Sequence, residues 1–358
     1  MQKPEVRKGM PDTQIGKEEF DRRFRAHFFD PAFEKAASEL EKIIDIAWDA
    51  YDNSRKAPRT RKAGPGYADP NYDLSVEWIA ASDAIAQAQA RQDDTASASR
   101  ILIVNASPRN EHTCPGEMSK TFRLAELAQR TAAQSGAETE ILDLSRLTAE
   151  YGKVIYPCKA CVSTAMPLCH WPCSCYPNHS LNQAGDWMNE IYPKWVAAHG
   201  VMIVTPVHWY QAPSALKLMI DRLVCADGGN PDPTSTHGKK PDEAKALELA
   251  GWPYPRHLAG RAYAIVVHGD TEGAGSLTHA LNGWLSSMGL VSAGNKAVME
   301  SYIGYYEPYA TSHEGLDHDP DFQEEVRNAA RTLVAAVKQL RSGEWKPADT
   351  GLREPRSK

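Results

Sequence analysis

Five cysteines crowd into one short stretch of this sequence. Cys158 and Cys161 form a C-x-x-C pair, and Cys169, Cys173 and Cys175 follow shortly afterwards. Thiolates bind soft metals and carry redox chemistry, and in a reducing compartment such a cluster favours these roles over structural disulfides. The total of seven cysteines is odd, which also argues against a disulfide framework. The cluster therefore predicts a metal or redox centre.

A second group of candidate residues follows the apolar run ILIV. Ser107 and Arg109 come directly after this run, and Ser119, Lys120 and Thr121 stand at the predicted start of the next helix. Backbone N–H groups at a helix start favour a phosphate dianion, and an arginine adds paired donors. The segment has neither a dinucleotide glycine pattern nor the glycine-lysine pair of a nucleotide triphosphate loop. We interpret it as a phosphate site, with simple capping by the two serines as the alternative.

Two further apolar runs end in residues that suit a flat heterocycle. The candidates after the first of these runs are Pro206, Val207, His208 and Trp209. An extended turn with aromatic side chains and exposed amides can stack on a ring and bond to its edge. The candidates after the second run are His268, Gly269, Asp270 and Gly273, in a loop whose glycines allow close backbone approach. His208 and Trp209 are the candidates for contact with a reacting ring, and ordinary packing or turn capping is the alternative for Trp209 and Asp270.

The pattern from residue 100 onwards supplies elements that would bring these groups together. Short apolar runs, typical of strands buried on both faces, alternate there with helical segments. The strands are predicted near 101–104, 139–144, 201–204, 262–267 and 295–299. This alternation predicts a parallel sheet covered by helices, with ligands beyond the carboxyl ends of its strands.

The first 98 residues have a different pattern. Apolar residues at helical spacing, among them Leu40, Ile43 and Ile44, predict amphipathic helices whose stripe needs a partner. We find no strand pattern in this part, and we interpret the basic run at 55–62 as a solvated connector rather than a phosphate contact. The predicted domains are a helical extension (1–98), a main domain (99–341) with a cysteine-rich insert (156–180) and a loop insert (227–258), and a tail (342–358).

The composition limits the classes of function. The 40 Lys and Arg residues against 46 Asp and Glu residues give a net charge of −6. The chain therefore lacks the excess of positive charge that is typical of nucleic-acid binders. No run approaches the roughly 18 apolar residues of a membrane span, and the first residues lack the apolar core of a secretory signal. We therefore expect a cytoplasmic protein without nucleic-acid or membrane partners. The G-x-S-x-G elbow of many hydrolases is missing from the sequence, which disfavours that class.

The motifs at the strand ends resemble the flavodoxin-like NADPH-dependent FMN reductases, especially their iron–sulfur flavoprotein branch. The matching motifs are Ser-Pro-Arg at 107–109, Thr-Pro-Val at 205–207 followed by Trp209, and Ile-Asp-Arg at 220–222, with His208 in place of the usual tyrosine. Over about residues 100–300, the resemblance implies a doubly wound sheet of five strands in the order 2-1-3-4-5. It also implies FMN, with its phosphate at the first loop and its isoalloxazine against 206–209 and 268–273.

The resemblance implies an FMN-dependent NAD(P)H oxidoreductase. Reduced nicotinamide would be the electron donor, and a quinone, flavin, metal or protein the acceptor. A non-enzymatic electron carrier of the flavodoxin type, with or without a cluster, is the alternative. Because flavin sites of this family often lie at subunit interfaces, a homodimer or homotetramer is expected.

The resemblance also gives the cysteine segment an interpretation. In the iron–sulfur branch, a compact cysteine motif at this point of the chain holds a 4Fe–4S cluster. The predicted ligands are Cys158, Cys161, Cys169 and Cys173, with Cys175 as a substitute for Cys173. The gap between the second and third of these is longer than in the usual motif. Zinc held by four cysteines, or by three with His170 or His179, stays open, as does a metal-free thiol pair or plain loop.

Overall fold

The computed structural model describes residues 4–113, 116–269, 272–303 and 308–346. The chain divides into two compact units. Unit 1 combines Met1–Asp83, Tyr156–Trp187 and Gly228–Pro255, and unit 2 combines Ala84–Ile155, Met188–Asp227 and Arg256–Lys358. Each unit is therefore assembled from segments that alternate along the chain. The domain boundaries expected from the sequence stay predictions.

The described residues contain eight strands and eleven α-helices. The strands are β1 (Thr60–Lys62), β2 (Asp73–Ser75), β3 (Arg100–Asn105), β4 (Glu138–Asp143), β5 (Gly200–Pro206), β6 (Ala262–Gly269), β7 (Val291–Ser292) and β8 (Val298–Tyr302). The helices are α1 (Lys17–Arg25), α2 (Ala37–Asp52), α3 (Val76–Asp93), α4 (Lys120–Gln134), α5 (Arg146–Ala149), α6 (Met188–Ala197), α7 (Ser214–Arg222), α8 (Pro241–Leu249), α9 (Ala274–Ser287), α10 (Ser312–Asp317) and α11 (Pro320–Ser342). None of these helices combines the length and apolar character that crossing a bilayer requires.

Unit 2 is built on a parallel sheet in the order β4-β3-β5-β6, with β7 and β8 both paired to β6. The predicted order holds for the first four positions, and the fifth is shared by two short strands, so the described sheet has six strands rather than five. The two are separate because Asn295–Ala297 forms a 3-10 turn between them. The last predicted strand therefore begins at Val298 rather than near 295.

Helices cover both faces of this sheet, as the buried strands predict. Ile101 and Ile103 belong to a core that contains the apolar faces of α4 and α11. On the opposite face, the hydroxyl of Tyr263 donates to Asn282 of α9 at 2.7 Å. A Cβ on Gly200 would lie 2.8 Å from the side chain of Val337, so a glycine at the start of β5 allows α11 to pack closely.

Unit 1 contains α1, α2, α8 and an antiparallel hairpin of β1 and β2. Thr60 pairs with Ser75, and Lys62 pairs with Asp73. The expectation that the first 98 residues contain no strand is therefore wrong. All three residues of β1 are exposed, so the strand has no buried face and its sequence carries no alternation of apolar residues.

Candidate functional site

The loops that carry the predicted phosphate and ring residues lie side by side in unit 2. Asn105 at the end of β3 pairs with Val204 of β5, and Pro206 at the end of β5 pairs with His268 of β6. Because all three strands are parallel, their following loops leave the same edge of the sheet. The structure thus brings the three predicted groups to one place, apart from Asp270, which lies outside the described residues.

The loop after β3 holds polar groups at the start of α4. Ser107 is buried, and its hydroxyl oxygen accepts from the backbone N–H of Arg109 at 3.2 Å. Ser119 caps α4, because its hydroxyl oxygen accepts from the N–H of Phe122 at 3.1 Å. The capping expected as an alternative role for this serine is therefore present. It leaves other backbone N–H groups of the first turn without helical partners.

Arg109 is only partly engaged by its neighbours. Its guanidinium forms an ion pair with Glu117. Its Nε is buried and has no hydrogen-bond partner within the described residues. A cavity of about 450 Å³ adjoins this loop, and Arg109, Ser119 and Phe122 are among its lining residues. A buried donor without a partner costs free energy, so this guanidinium is prepared for an anion.

The first turn of α4 is tied to the end of β6 by a buried hydrogen bond. The hydroxyl of Thr121 and Nε2 of His268 are 2.9 Å apart. Burial, with smaller contributions from Lys120 and His208, lowers the pKa of His268 to about 3, so its ring is neutral at physiological pH. Its Nδ1 is buried and has no partner in the part of the chain that the structure describes. This nitrogen can still form a hydrogen bond.

The loop after β5 makes a tight turn that presents two aromatic side chains. His208 and Gln211 exchange two backbone hydrogen bonds of 2.9 Å each. Between them, Trp209 and Tyr210 adopt positive φ angles of 46° and 65° and are 92% and 57% exposed. Left-handed backbone is costly for such residues, and strain of this kind concentrates at functional sites.

Gly273 allows this turn to approach the loop after β6. A Cβ on Gly273 would lie 2.7 Å from Cα of Tyr210, and the residue has a φ of +108°. Val207 also joins the end of β6, because its N–H donates to the carbonyl of His268 at 3.0 Å. The two ring loops therefore support each other. Tyr210 belongs to this arrangement although the motif-based prediction stopped at Trp209.

The cysteine segment folds within unit 1. The sulfurs of Cys161 and Cys175 are 3.5 Å apart, and Nζ of Lys239 is 3.5 Å from the sulfur of Cys161. The hydrogen bond with Cys175, aided by Lys239, lowers the pKa of the Cys161 thiol to about 7. In contrast, the sulfur of Cys158 accepts a local hydrogen bond from the N–H of Ala160 at 3.3 Å.

The charge of Lys239 is stabilised by four of these sulfurs in their thiolate form. Burial opposes its charge, but the sulfurs outweigh that effect and raise its pKa. The four sulfurs belong to Cys175, Cys161, Cys173 and Cys169. Among the described residues, no group of three or more His, Cys, Asp or Glu side chains has the geometry of a metal site. The segment therefore places two sulfurs in contact beside a lysine, and thiols are the donors that a soft metal requires.

The two histidines considered as zinc ligands have other partners. Nδ1 of His170 lies 2.5 Å from the hydroxyl of Ser174, and its Nε2 lies 3.0 Å from that of Thr236. Nε2 of His179 lies 3.0 Å from the carboxylate of Glu77. Both ring nitrogens of His170 are thus occupied by hydroxyl groups.

Sequence reasoning missed two lysines beside the cysteine segment. Lys239 lies 78 positions after Cys161. Lys56 donates to the carbonyl of Ser174, which lies 118 positions after Lys56 in the chain. No local pattern connects residues at such separations. The one available signal was the basic run at 55–62, which we interpreted as a solvated connector. For Lys56 that interpretation is wrong, because the side chain is held against the cysteine segment.

Comparisons with known proteins find similar chains. An iron-sulfur flavoprotein from Methanosarcina thermophila is 28% identical over 125 residues, which cover 35% of this chain and 52% of that protein. The chain thus spans about half the length of the curated relative that it matches. RosB with a bound 8-demethyl-8-formylriboflavin-5'-phosphate intermediate is similar in structure at 15% identity and a TM-score of 0.47, over 69% of this chain and 82% of RosB.

A second solved structure is also similar. The NAD(P)H:quinone oxidoreductase from Methanothermobacter marburgensis aligns with 15% identity and a TM-score of 0.40, over 66% of this chain and 100% of that protein. The sequence pattern of the NADPH-dependent FMN reductases matches residues 99–303, which is more than half of the chain. The chain belongs to the NADPH-dependent FMN reductase family.

Proposed function

We propose that this protein is an FMN-dependent NAD(P)H oxidoreductase. Electrons would pass from reduced nicotinamide through FMN to a quinone, flavin, metal or protein acceptor. The observation that carries the proposal is the meeting of three loops at one sheet edge, with two buried polar atoms left for a ligand, Nε of Arg109 and Nδ1 of His268. Family membership supports the same cofactor.

The residues present fit an FMN phosphate and a flat ring. We assign the phosphate to the loop after β3 and the first turn of α4, and the ring to the loops after β5 and β6. The phosphate residues are Ser107, Arg109, Ser119, Lys120 and Thr121, and the ring residues are Pro206, Val207, His208, Trp209, His268, Gly269, Asp270 and Gly273. When bound, FMN supplies a centre that accepts a hydride and releases electrons one or two at a time.

In this proposal, the residues of the chain bind FMN and orient its ring. Arg109 and the N–H groups of α4 hold negative charge, while the neutral ring of His268 offers a hydrogen-bonding nitrogen without adding a charge. The hydrogen bond of Thr121 to His268 fixes that ring. Trp209 presents a large flat surface in a strained turn, which suits stacking on a planar ligand. His208 and Trp209 are the side chains that we propose to lie near the reacting ring.

A visible spectrum followed by a steady-state assay tests this function. Purified protein is titrated with FMN, and the loaded protein is supplied with NADPH or NADH and menadione as acceptor. We expect FMN to bind with one site per chain and the nicotinamide to be oxidised in multiple turnovers. FMN binding without nicotinamide oxidation would indicate the electron carrier instead, and failure to bind FMN would reject both.

We also propose that the cysteine segment holds a 4Fe–4S cluster. The support is the donor set: the sulfurs of Cys161 and Cys175 lie 3.5 Å apart, Cys169 and Cys173 belong to the same short segment, and four thiolates are the usual ligands of such a cluster. The relative from Methanosarcina thermophila is named an iron-sulfur flavoprotein. We choose Cys161, Cys169, Cys173 and Cys175 as ligands, in place of Cys158 of the sequence-based set. The sulfurs of Cys161 and Cys175 already lie 3.5 Å apart, and all four chosen sulfurs act on Lys239, whereas that of Cys158 does not.

Metal and sulfide analysis of anaerobically prepared protein tests the cluster. We expect about four iron and four sulfide per chain. The Cys175→Ala variant should lose both, while Cys158→Ala, as the matched control, should keep them. The opposite pattern would restore the sequence-based ligand set. Zinc in place of iron, or protein free of metal with normal flavin content, would reject the cluster while leaving the flavin proposal intact.

A further inference from the structure

A cavity of about 410 Å³ in unit 1 has no role in the function proposed so far. Its wall includes Lys56 and Lys239, together with the aromatic rings of Tyr72, Trp78 and Tyr176. Its volume falls within the range of about 300–1,000 Å³ that is usual for small-molecule sites. All of these residues belong to unit 1, so the cavity can be described by itself.

The cavity has an excess of positive charge. Lys56 donates to the carbonyl of Ser174, and Lys239 donates to that of Leu168 at 3.0 Å and approaches the thiol of Cys161. Within the described ranges, neither ammonium forms an ion pair with a carboxylate. The one carboxylate in the wall, Asp73, is paired with Lys62 at 2.9 Å. Half-buried ammonium groups are costly, and the cysteine sulfurs are the only acidic groups of the described residues that act on both of them, so an anion in the cavity would stabilise both ammonium groups further.

The apolar part of the wall consists of rings that are held in place. Trp78 is 6% exposed, and its indole N–H donates to the carbonyl of Pro172 at 2.9 Å. Tyr176 is equally buried, and its hydroxyl donates to the carbonyl of Pro157 at 2.8 Å. Tyr72 packs edge-on against the ring of His237, with centroids 6.4 Å apart. The ring of Tyr176 also stacks on that of Tyr156, with centroids 4.9 Å apart, so Trp78 and Tyr176 offer the cavity small, fixed apolar surfaces. A rigid flat ligand can pack against such surfaces with little ordering of the site.

We propose that this cavity binds a small planar aromatic anion. Its negatively charged group lies at Lys56 and Lys239, and its ring packs against Tyr72, Trp78 and Tyr176. Lys239 also contacts Cys161, so the ligand is bound next to the cysteine segment. The site uses none of the residues assigned to FMN, and the proposal does not depend on the reductase function.

Calorimetric titration of the full-length protein tests the proposal without any turnover. The probe is 1-naphthoate, and its comparators are the neutral 1-naphthalenemethanol and inorganic phosphate, which lacks a ring. We expect one naphthoate per chain and at least tenfold weaker binding of both comparators. Equal binding of the neutral alcohol would refute the role of charge, equal binding of phosphate would refute the role of the ring, and no binding of naphthoate would overturn the site.

Two variants place the ligand. Lys56→Met keeps the aliphatic stem but removes the charge, and we expect it to weaken naphthoate binding at least tenfold. Lys42→Met, on an exposed position of α2, is the matched control and should leave the affinity unchanged. An unchanged affinity in Lys56→Met would overturn the placement. If Lys56→Met fails to fold, Tyr72→Leu takes its place, and we expect the same tenfold loss of naphthoate affinity. The preference of the unmodified protein for naphthoate over the two comparators tests the proposal independently of either variant.

Discussion

Arg109 is the residue with the most direct role in the proposed flavin site. One part of its guanidinium is paired with Glu117, while its Nε is buried and has no partner among the described residues. A charge-assisted hydrogen bond to a phosphate contributes about 1.5–3 kcal/mol. We therefore expect Arg109→Ala to weaken FMN binding by roughly ten- to a hundredfold, with little change in the folding of the apoprotein.

Quenching of FMN fluorescence measures this affinity. Arg130→Ala removes an exposed arginine of α4, away from the loop that carries Arg109, and this variant should bind FMN as the unmodified protein does. If Arg109→Ala retains full affinity, the phosphate lies elsewhere.

His268 shows which features of the site can be predicted from residue type and position in the sequence, and which cannot. Its place after an apolar run marked it as a candidate, since the ends of parallel strands face ligands. Its contact with Thr121 could not be predicted, because the two residues are 147 positions apart and meet only when β6 and α4 are folded. The same holds for Lys239 and the cysteines. Residue type and local order revealed candidate groups, and only the fold revealed their partners.

At the scale of elements, the contact between the loops after β5 and β6 depends on one glycine. Gly273 has a φ of +108°, and a Cβ there would meet the backbone of Tyr210 at 2.7 Å. Gly273→Ala should therefore displace the turn that carries Trp209 and weaken FMN binding about tenfold. The left-handed backbone alone adds about 1–2 kcal/mol of destabilisation.

Flavin titration together with urea unfolding checks this result. Gly283→Ala in α9 is the control, because a Cβ there has no neighbour within 4 Å and alanine suits a helix interior. That control should keep flavin affinity and be as stable as the unmodified protein or slightly more so. Equal affinity in both variants would show that the turn does not position the flavin.

The strands of the sheet were predictable, whereas the hairpin in unit 1 was not. The runs in β3, β5 and β6 are buried on both faces and read as continuous apolar segments. In contrast, β1 buries neither face, so nothing in its composition distinguishes it from a loop. A strand can therefore be predicted from sequence when burial requires its residues to be apolar. It cannot be predicted when only its pairing with a distant segment makes it a strand.

The N-terminal helices leave apolar side chains uncovered. Ile43 and Ile46 of α2 are 48% and 67% exposed, although Ile44 is buried. We expect a second copy of this chain to cover this stripe, in line with the predicted homodimer or homotetramer. Ile46→Asp should then lower the mass measured by light scattering, whereas Ile46→Val should not. If Ile46→Asp has the same mass as the unmodified protein, the stripe is not a subunit contact.

At the scale of the whole molecule, buried neutral histidines make stability depend on pH. Nδ1 of His199 accepts from the N–H of Arg100, and its Nε2 donates to the carbonyl of Gln92, both at 3.0 Å. Burial, with Arg341 nearby, lowers its pKa to about 4. The unfolded chain binds a proton near pH 6.5, so between pH 6.5 and 4 it takes up more protons than the folded chain. Stability is therefore lost as the pH falls through this window.

Urea unfolding at pH 7 and pH 5 measures the effect. In the unmodified protein, this histidine should account for about 2 kcal/mol of the decrease in the free energy of unfolding. The His199→Gln variant, whose amide can form the same two hydrogen bonds, should show a smaller decrease. His268 destabilises the fold in the same direction as the pH falls, so part of the pH dependence of the free energy of unfolding should persist in His199→Gln. Identical pH dependence in both proteins would contradict the assignment.

The alternation of segments between the two units has a consequence for synthesis on the ribosome. The first 83 residues of unit 1 emerge roughly 145 residues before its last segment, Gly228–Pro255, begins. At about 5–20 residues per second, this delay is on the order of 7–30 seconds. The cysteines emerge within that interval and lack Lys239 until at least 64 more residues have been added, and the nascent N-terminal helices lack the last segment of their unit. Unit 1 therefore cannot be completed before its last segment emerges, and until then its early apolar surfaces and thiols lack their final partners.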